Sequence, residues 1–401
     1  MATRYWEGGG TDPRDLADAT NWSGNTLPAT GDTAIIADSP STETAAFYAT
    51  ATLPASGTIT SFRVGSQINR NFGVENGVAA TATITIDDYT EFNDGDKANL
   101  VATDTNNYDF TAGAQSSVNS TFEATTSNAV TAANLATIIN SDSGASGTRF
   151  TATSTSNVVT ITQATVGFAG NTAITITETG GSAMSKTDFT GGITEAITLN
   201  ATTVELSGQG VYQNFLGTQT TVNVNDGVAG DDMLHLGGTV TNLNVLGSDG
   251  RTNVDDSATA TNIKLIDALF AEIVVGTSVE NDYITMSAGK VTTSSDIDVT
   301  AEVAGGTLVV SGSATCVTMN VHANALVQYQ TSGTLTTVTV YGGILDFSTS
   351  TASSVTLTNC NLYEGGLIDE RSGLGNVVYT NGIVAKGGSV LQDLGRTLTI
   401  S

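Results

Sequence analysis

The sequence predicts a mainly β protein built on a parallel β-helix, a solenoid of short stacked strands, with a small inserted α+β domain and an N-terminal cap. Composition is the first observation behind this fold class. The 401 residues include 44 Gly, 4 Pro and 13% charged residues, against a charged share of about 25% in typical domains. Thr and Val favour strands, and Gly and Asn favour tight corners. The second observation is a repeat.

The repeat begins near Thr220 and has a period of roughly 18–22 residues, which is in the solenoid range. Each period holds a strand of alternating apolar residues, a corner with Gly, Asn or Ser, and a second strand. The predicted strands start at Thr220, Val240, Ala260, Cys316, Leu335, Ser354 and Asn376, with second strands at Gly306, Ala325 and Gly343. Because one such strand cannot bury its apolar face alone, we expect stacked turns that pair in parallel.

Alternation also predicts which side chains point into the core. The expected inward positions include Val317, Met319 and Val321, and, with one slip, Leu335, Val338 and Val340. An antiparallel sandwich of short strands has the same local pattern, but it predicts compact two-residue hairpin turns. The corners here are spaced as in a coil of two or three faces, which favours the β-helix.

The pattern of the sequence between about Val78 and Gly192 differs from that of the repeat. A segment from Asn128 to Asp142 has apolar residues near i, i+3, i+4 spacing, which predicts a helix. Its expected inward residues are Val130, Ala133, Leu135, Ile138 and Ile139, and its candidate N-caps are Thr126, Ser127 and Asn128. Four or five alternating strands surround it, so the insert is interpreted as a small α+β domain with one helix on a sheet.

These patterns divide the chain into three segments. Residues 1–77 are the N-terminal cap and first β-helix turns, residues 78–192 the inserted α+β domain, and residues 193–401 the parallel β-helix. The length of the chain is ample for such modules.

Four landmarks follow one another in the insert: Gly95-Asp96, Ile138-Ile139-Asn140, Asn157 through Ile161, and Gly167 through Ile176. In this order they resemble a module that recurs in bacteriophage virion proteins. Near the N-terminus stand Trp6-Glu7-Gly8-Gly9, Asp18 through Trp22, Pro28 and Gly31 through Ile36. This stretch is similar to the opening of phage fibre and bacterial surface β-helix proteins, in which two tryptophans plug the first turn. The resemblance implies core roles for Trp6 and Trp22, against the alternative of a carbohydrate-stacking platform.

Together the resemblances imply a non-enzymatic virion structural protein, either a capsid decoration protein or a head spike or fibre. They imply a homotrimer that contacts the major capsid protein or other virion proteins, and a virion location after assembly in the host cytoplasm. The alternative is a tailspike or receptor-binding fibre that recognises or cleaves a host surface glycan. A secreted bacterial adhesin is a third hypothesis, disfavoured by the leaderless start.

Charge and hydropathy exclude two partner classes at this stage. The 13 Lys+Arg against 39 Asp+Glu give a net charge of −26 without a basic track, so no nucleic acid partner is expected. The sequence contains no apolar run of the ~18 residues that a membrane helix needs, so no membrane partner is expected.

Candidate chemistry is sparse. Glycoside hydrolysis needs two carboxylates about 5–10 Å apart, and the acidic clusters are Asp231-Asp232, Asp255-Asp256, and Asp296 with Asp298. They lie in Gly- and Ser-rich corners, where solvated Asp is common, so no catalytic residue is predicted. His235 and His322 have no ligand or carboxylate at suitable sequence spacing and predict neither a zinc site nor an acid–base pair.

The run from Gly230 to Gly238 resembles one calcium-binding nonapeptide of β-roll proteins. It makes Asp231, Asp232 and Asp249 calcium candidates. Such sites need consecutive turns, and this copy is single and one residue too long. A plain turn is therefore favoured, and no cofactor is predicted.

Two further expectations concern single side chains. The rung register puts Cys316 and Cys360 about two layers apart, which exceeds the reach of a disulfide. Both are therefore expected to be buried free thiols. Phe270, Tyr329 and Phe347 are candidates for outward apolar contacts between the chains of a trimer.

Overall fold

Strands dominate the secondary structure of the computed structural model. It describes residues 1–37, 46–68, 70–74, 77–141, 149–193, 196–207, 212–225, 233–247, 250–254, 258–266, 270–277, 279, 281–350, 352, 354–371, 376–387, 390–392 and 399–400. The chain divides into two compact units, Met1–Gly73 with Ala196–Ser401, and Val74–Glu195. We call them the solenoid unit and the inserted unit. The divisions fall close to the predicted positions 78 and 192.

The solenoid unit contains a larger and a smaller sheet, and successive turns add a strand to each. Among the described residues the larger sheet has 15 strands. In chain order they are Thr3–Tyr5, Thr33–Ile36, Ile59–Val64, Ala201–Leu206, Thr218–Val224, Thr239–Leu246, Thr259–Ile266, Tyr283–Met286, Ile297–Val303, Cys316–His322, Leu335–Tyr341, Ser354–Leu362, Asn376–Tyr379, Ile383–Ala385 and Thr399–Ile400.

The smaller sheet has 11 strands within the described ranges. They are Ile197–Thr198, Tyr212–Leu216, Met233–Leu236, Arg251–Val254, Glu272–Val275, Lys290–Thr293, Gly306–Val310, Ala325–Tyr329, Ile344–Asp346, Leu367–Asp369 and Val390–Gln392. Consecutive strands of this sheet pair in parallel, as Lys290–Thr293 does with Gly306–Val310.

Parallel pairing confirms the predicted β-helix and excludes the antiparallel sandwich for this unit. The chain distance between paired residues gives the length of a turn. Tyr283 pairs with Thr300, 17 positions further on, and Cys360 pairs with Ile383, 23 positions further on. The observed period therefore brackets the predicted one.

Several long strands of the larger sheet share one irregularity. In Thr218–Val224 the residues Gln219, Val222 and Val224 are buried, whereas the two consecutive residues between the first pair are not. The same spacing recurs at Val240, Leu243 and Val245, and at Ala260, Ile263 and Leu265. Two successive outward residues break the two-residue alternation, so the inward positions of each of these strands shift by one residue there. We call this pair of outward residues the slip. Because it occurs at the same paired position in these neighbouring strands, the strands stay paired on both sides of it.

The slip corrects one sequence prediction. Val317 was expected to point inward with Met319 and Val321, but Cys316 takes the inward position and Val317 is 44% exposed. Met319 and Val321 are buried as predicted.

The larger sheet continues without interruption across the insertion. Ile59–Val64 is the last strand before the inserted unit and Ala201–Leu206 the first larger-sheet strand after it, and the two pair in parallel. Phe62 lies beside Val204, and Arg63 beside Glu205. The hydrogen-bonded ladder and the apolar core of the solenoid are thus built from both sides of the insert.

The N-terminal turn is closed by tryptophan packing. Trp22 is fully buried, and its indole Nε1 donates a hydrogen bond to the Leu16 carbonyl at 2.9 Å. Trp6 is half-buried and meets Trp22 edge to face, with ring centroids 5.3 Å apart. The Ser23 amide donates to the Tyr5 carbonyl at 2.8 Å, so this loop covers the outer edge of the first strand. Exposed sheet edges invite pairing with other chains, and this closure blocks part of the edge.

Single buried side chains decide three further predictions. Cys316 and Cys360 are buried and free, as expected. Phe270 is 74% exposed, but Tyr329 and Phe347 are buried, so the outward placement of these two was wrong. They follow the inward residues Val327 and Leu345 by two positions, and strand alternation therefore turns them into the core.

The core also contains polar amides. Asn281 is fully buried, and among the described residues neither its side-chain nitrogen nor its oxygen has a hydrogen-bond partner. Gln219 is fully buried too. Its nitrogen donates to the Leu199 and Leu216 carbonyls, whereas its oxygen has no partner in the described part of the chain. An unsatisfied buried group costs about 1–3 kcal/mol, so Asn281 is a weak point of the solenoid.

The inserted unit is an α+β structure with two four-stranded sheets, counted over its described residues. One sheet has the order Ile174–Thr177, Lys97–Val101, Asn107–Ala112 and Thr121–Phe122, and the other Met184–Lys186, Thr81–Ile86, Val158–Gln163 and Phe150–Thr155. The four or five expected strands were thus too few. Val78 and Ile193 form an antiparallel bridge, so the ends of the unit meet.

The predicted helix runs over Asn128–Ile139, and Ser127 caps it by accepting from the Val130 amide at 3.3 Å. Leu135, Ile138 and Ile139 are buried as expected. Val130 and Ala133 are exposed instead, and the inward face includes Thr131, Ala132 and Ala136. Short 3₁₀ turns lie at Ala19–Asn21, Tyr89–Glu91 and Phe168–Gly170.

Two landmark residues of the insert make tertiary hydrogen bonds. Asn140 ends the helix and exchanges two bonds with the backbone of Ala152, at 2.7 and 2.8 Å. Asp96 is fully buried and accepts from the backbone amides of Asn93 and Thr179, both at 2.8 Å. These amide bonds hold the pKa of Asp96 below its usual value, although burial alone would raise it. These landmark residues therefore stabilise the fold of the inserted unit.

Candidate functional site

The outward face of the larger sheet carries two columns of polar side chains that run along the stacking direction. Each strand contributes one residue to each column. The first column contains Thr221, Asn242, Asn262, Tyr283 and Thr300. The second contains Arg63, Glu205, Asn223, Asn244, Lys264, Thr285 and Glu302. In each strand the two columns flank one buried residue, such as Ile263.

Amides within the columns bond from rung to rung. Asn244 donates to the Asn223 side-chain oxygen at 2.8 Å, and Asn223 donates to Glu205 at 2.7 Å. In the first column Asn262 donates to Asn242 at 2.9 Å. These bonds fix the side chains of both columns. The surface is therefore preorganised rather than a set of mobile polar groups.

A shallow groove of about 520 Å³ runs between the two columns. Its lining consists of Thr221, Asn242, Asn244, Asn262, Ile263, Lys264, Tyr283 and Thr285. It extends over four successive rungs, from Thr221 to Tyr283, which is about 14 Å at the usual strand spacing. The groove combines amide, hydroxyl, ammonium and phenol groups over an aliphatic floor.

Lys264 differs from the other cations of the protein. Among the described Lys and Arg residues, eight form ion pairs, namely Arg4, Arg14, Lys97, Arg149, Lys186, Arg251, Lys290 and Arg371. Arg63 donates to the Ser61 hydroxyl, and Arg70 and Lys386 lie over aromatic rings. Lys264 is exposed and makes no ion pair within the described part of the chain.

A second surface feature is an aromatic ladder at the far end of the larger sheet. The rings of His322 and Tyr341 stack with centroids 5.1 Å apart, and those of Tyr341 and Tyr363 at 4.9 Å. The Lys386 ammonium lies 5.1 Å from the Tyr363 centroid. The faces of these rings pack against one another or against the Lys386 ammonium. The ladder therefore offers mainly ring edges to a ligand.

His322 also corrects a sequence inference. Its Nε2 contacts the Glu302 carboxylate of the preceding rung, and Asn320 donates to the same carboxylate at 2.9 Å. His322 and Glu302 are 20 positions apart in sequence, so no short spacing around the histidine indicates their contact. The solenoid period of the chain is the signal that would have found Glu302. His235 lies in a strand, as expected, with Nε2 3.3 Å from the Asn253 amide nitrogen.

The predicted acidic clusters are only partly visible. The calcium candidates Asp231, Asp232 and Asp249 lie outside the described residues, as do Asp255 and Asp256. Asp296 and Asp298 border a shallow groove of about 350 Å³ with Ser294, Ser295 and Thr315. The Asp296 carboxylate accepts from the Thr315 amide at 2.6 Å, a contact that fixes a corner. Searched over the described residues, no group of three His, Cys, Asp or Glu side chains has metal-binding geometry.

The two thiols are poor nucleophiles in the folded protein. Burial raises the pKa of Cys316 to about 12 and that of Cys360 to about 12. Reactive cysteines are exposed and have a lowered pKa. Both thiols are therefore packing residues of the core.

Fold and surface together define a parallel β-solenoid protein with an inserted α+β unit and an ordered polar face. Comparisons with protein-family models, with curated protein sequences and with solved structures gave no match. No helix in the described ranges is long and apolar enough to cross a bilayer.

Proposed function

We propose that this protein is a structural component of a bacteriophage virion, a capsid decoration protein or a head spike or fibre, that acts without catalysis. The observation that carries the proposal is the unbroken register between Phe62 and Val204. A solenoid whose ladder and core are complete on both sides of the insertion is a scaffold that carries a second folded unit. Such a scaffold serves attachment and display on a particle surface.

Charge and sequence landmarks support the same proposal. The net charge of −26 favours solubility at high local concentration and opposes non-specific binding. The landmarks that resemble phage virion proteins occupy structural positions, such as Asn140 at the helix end and Trp22 in the N-terminal closure. Partners are then the major capsid protein or other virion proteins, and the location is the virion.

A homotrimer is part of the proposal, and the outward face of the smaller sheet offers its contact. One outward column of paired residues is charged in its first part and apolar in its later part. The charged residues are Arg251, Glu272 and Lys290, and the apolar ones are Leu326, Ile344 and Leu367. Ile344 is 38% exposed. We propose that this apolar stripe packs against other copies of the chain. Ile344→Glu then shifts the mass measured by light scattering from trimer to monomer, whereas Lys290→Glu on the charged part leaves it unchanged.

The test of the main proposal is the composition of virions purified from the source of the chain. Mass spectrometry is expected to find the chain at a fixed ratio to the major capsid protein, and cryo-electron microscopy is expected to show solenoid density on the particle. Absence of the chain from purified virions contradicts the proposal.

A second candidate function is a tailspike or receptor-binding fibre that recognises or cleaves a host surface glycan. The groove along Asn242, Asn262 and Lys264 favours it, because amides, hydroxyls and an exposed tyrosine are suited to sugar hydroxyls and ring faces. Incubation of host polysaccharide with the purified protein distinguishes recognition from cleavage, since only cleavage shortens the polymer.

A further inference from the structure

We infer that the groove between the two polar columns binds an acidic oligosaccharide and that Lys264 contacts its carboxylate. The inference deepens the second candidate function and is independent of virion incorporation. It rests on three observations: a fixed set of amides, a lysine that forms no ion pair with the described residues, and a tyrosine at the end of the groove.

Lys264 gives the groove a positive charge. Lys264 has no ion pair with any described residue, although the chain has three times as many acidic as basic residues, 39 against 13. Within its own column the nearest carboxylates are Glu302, two rungs further on, and Glu205, three rungs back. These are about 10 and 14 Å away at the usual strand spacing. Such distances equal or exceed the Debye length of about 8 Å in physiological salt, so the ammonium is available to an anion.

The amides give the groove its polarity and its order. Asn242 and Asn262 hydrogen-bond to each other, and Asn244 is held by its bond to Asn223. Each amide keeps further donor or acceptor capacity beyond these single bonds. Because the side chains are already ordered, a ligand that bonds to them loses less free energy to immobilisation. Hydroxyl groups of a sugar match such mixed donors and acceptors.

Tyr283 defines one end of the groove. It pairs with Asn262 in the first column, and 42% of its surface is exposed. An exposed ring beside polar groups offers an apolar face to the C–H side of a sugar. Tyr283 is also a diagonal neighbour of Lys264, because it lies two residues before Thr285, the residue that pairs with Lys264. The ligand is therefore expected to place its carboxylate and one ring face close together.

The experiment is calorimetric titration of the full chain with a hexamer of galacturonic acid and with the neutral galactose hexamer of the same linkage. Oligomers of alginate and of polysialic acid extend the acidic set. At least one acidic oligomer is expected to bind, and more tightly than the neutral hexamer. The difference in affinity between the acidic oligomer and the neutral hexamer is expected to decrease when NaCl is raised from about 0.05 M to about 0.5 M, because salt screens exposed charges.

Matched variants locate the site. Lys264→Gln is expected to weaken acidic binding about five-fold, the loss expected for one exposed ionic contact, whereas Lys264→Arg retains it. Lys290→Gln removes the same charge from the smaller sheet and is expected to leave binding unchanged. The two lysines are exposed, and equal melting temperatures of all variants exclude misfolding. Failure of every acidic oligomer to bind, or equal binding by Lys264→Gln and Lys290→Gln, overturns the inference without affecting the virion proposal.

Discussion

Phe62 and Val204 are paired neighbours in the larger sheet, although the whole inserted unit lies between them in the sequence. Neither side chain is more than 1% exposed. The apolar core at this level of the solenoid is therefore assembled by segments that are distant along the chain. Folding of the solenoid requires closure of a long loop, but the free energy of closure grows only slowly with loop length.

The first prediction is that the inserted unit can be removed. Val78 and Ile193 pair at its ends, and the solenoid ladder does not pass through it. A chain in which Gly73 is joined to Ala196 by a short Gly-Ser linker is expected to fold. Circular dichroism is expected to show a β spectrum with one cooperative thermal transition. A disordered spectrum would show that the solenoid depends on the insert.

The second prediction concerns the buried columns. Leu243 is fully buried between Val222 and Ile263 of the adjacent rungs. Leu243→Ala is expected to lower the free energy of unfolding by about 2–5 kcal/mol, because a cavity remains. Thr241→Ala, two residues earlier and exposed, is the control and is expected to change it by less than about 0.5 kcal/mol. Chemical denaturation measures both, and similar values would contradict the inward placement of Leu243.

The third prediction concerns the unpartnered amide of Asn281. Asn281→Leu keeps the branched shape and the number of side-chain heavy atoms, and it removes two polar atoms that lack hydrogen bonds within the described structure. The free energy of unfolding is expected to rise by about 1–3 kcal/mol. Gln219→Leu is the comparison, because its nitrogen makes two hydrogen bonds that would be lost, and it is expected to stabilise less. A lower stability of Asn281→Leu would mean that the amide is satisfied in solution, for example by a buried water.

The fourth prediction concerns the thiols. With pKa values of about 12 for Cys316 and Cys360, the thiolate fraction at pH 8 is about one in ten thousand. Ellman's reagent is expected to find no reactive thiol in the native protein and two after denaturation. Rapid modification of the native protein would contradict the burial of these residues.

The same shifts predict a pH dependence. Both thiols keep their protons in the folded state above the ordinary value of 9.0, whereas the unfolded chain loses them near that value. The folded state therefore binds more protons, and stability falls as pH rises from about 9 towards 12. Cys316→Ala with Cys360→Ala is expected to flatten this decline relative to the parent protein. An identical slope would mean that the thiols do not contribute.

Sequence reasoning succeeded where a local pattern has one structural meaning. Alternation and the period of the repeat located the strands at Thr220, Val240 and Leu335, and one helical spacing located the helix after Ser127. Strict application of the same alternation would have placed Tyr329 and Phe347 inward. Their large aromatic rings were interpreted as contact residues instead.

The remaining differences depend on register, which sequence alone does not specify. Val317 is exposed because of a slip that recurs in several long strands of the larger sheet, and the Glu302–His322 contact forms because the two residues occupy adjacent rungs. The groove around Lys264 has the same origin. Asn244, Asn262 and Tyr283 are about 20 positions apart in sequence and become neighbours only once the rungs are stacked.

The most direct test of the continuous solenoid is a cysteine pair at Arg63 and Glu205, introduced with Cys316→Ala and Cys360→Ala. These outward residues are paired across the insertion, about 4.8 Å apart at the usual strand spacing and within the limit of about 7 Å for a disulfide. Arg63→Cys with Asn223→Cys is the control, one rung further away. Mass spectrometry of the oxidised proteins is expected to find the disulfide in the first variant and free thiols in the second. Free thiols in the first variant, or a disulfide only in the control, would contradict the account.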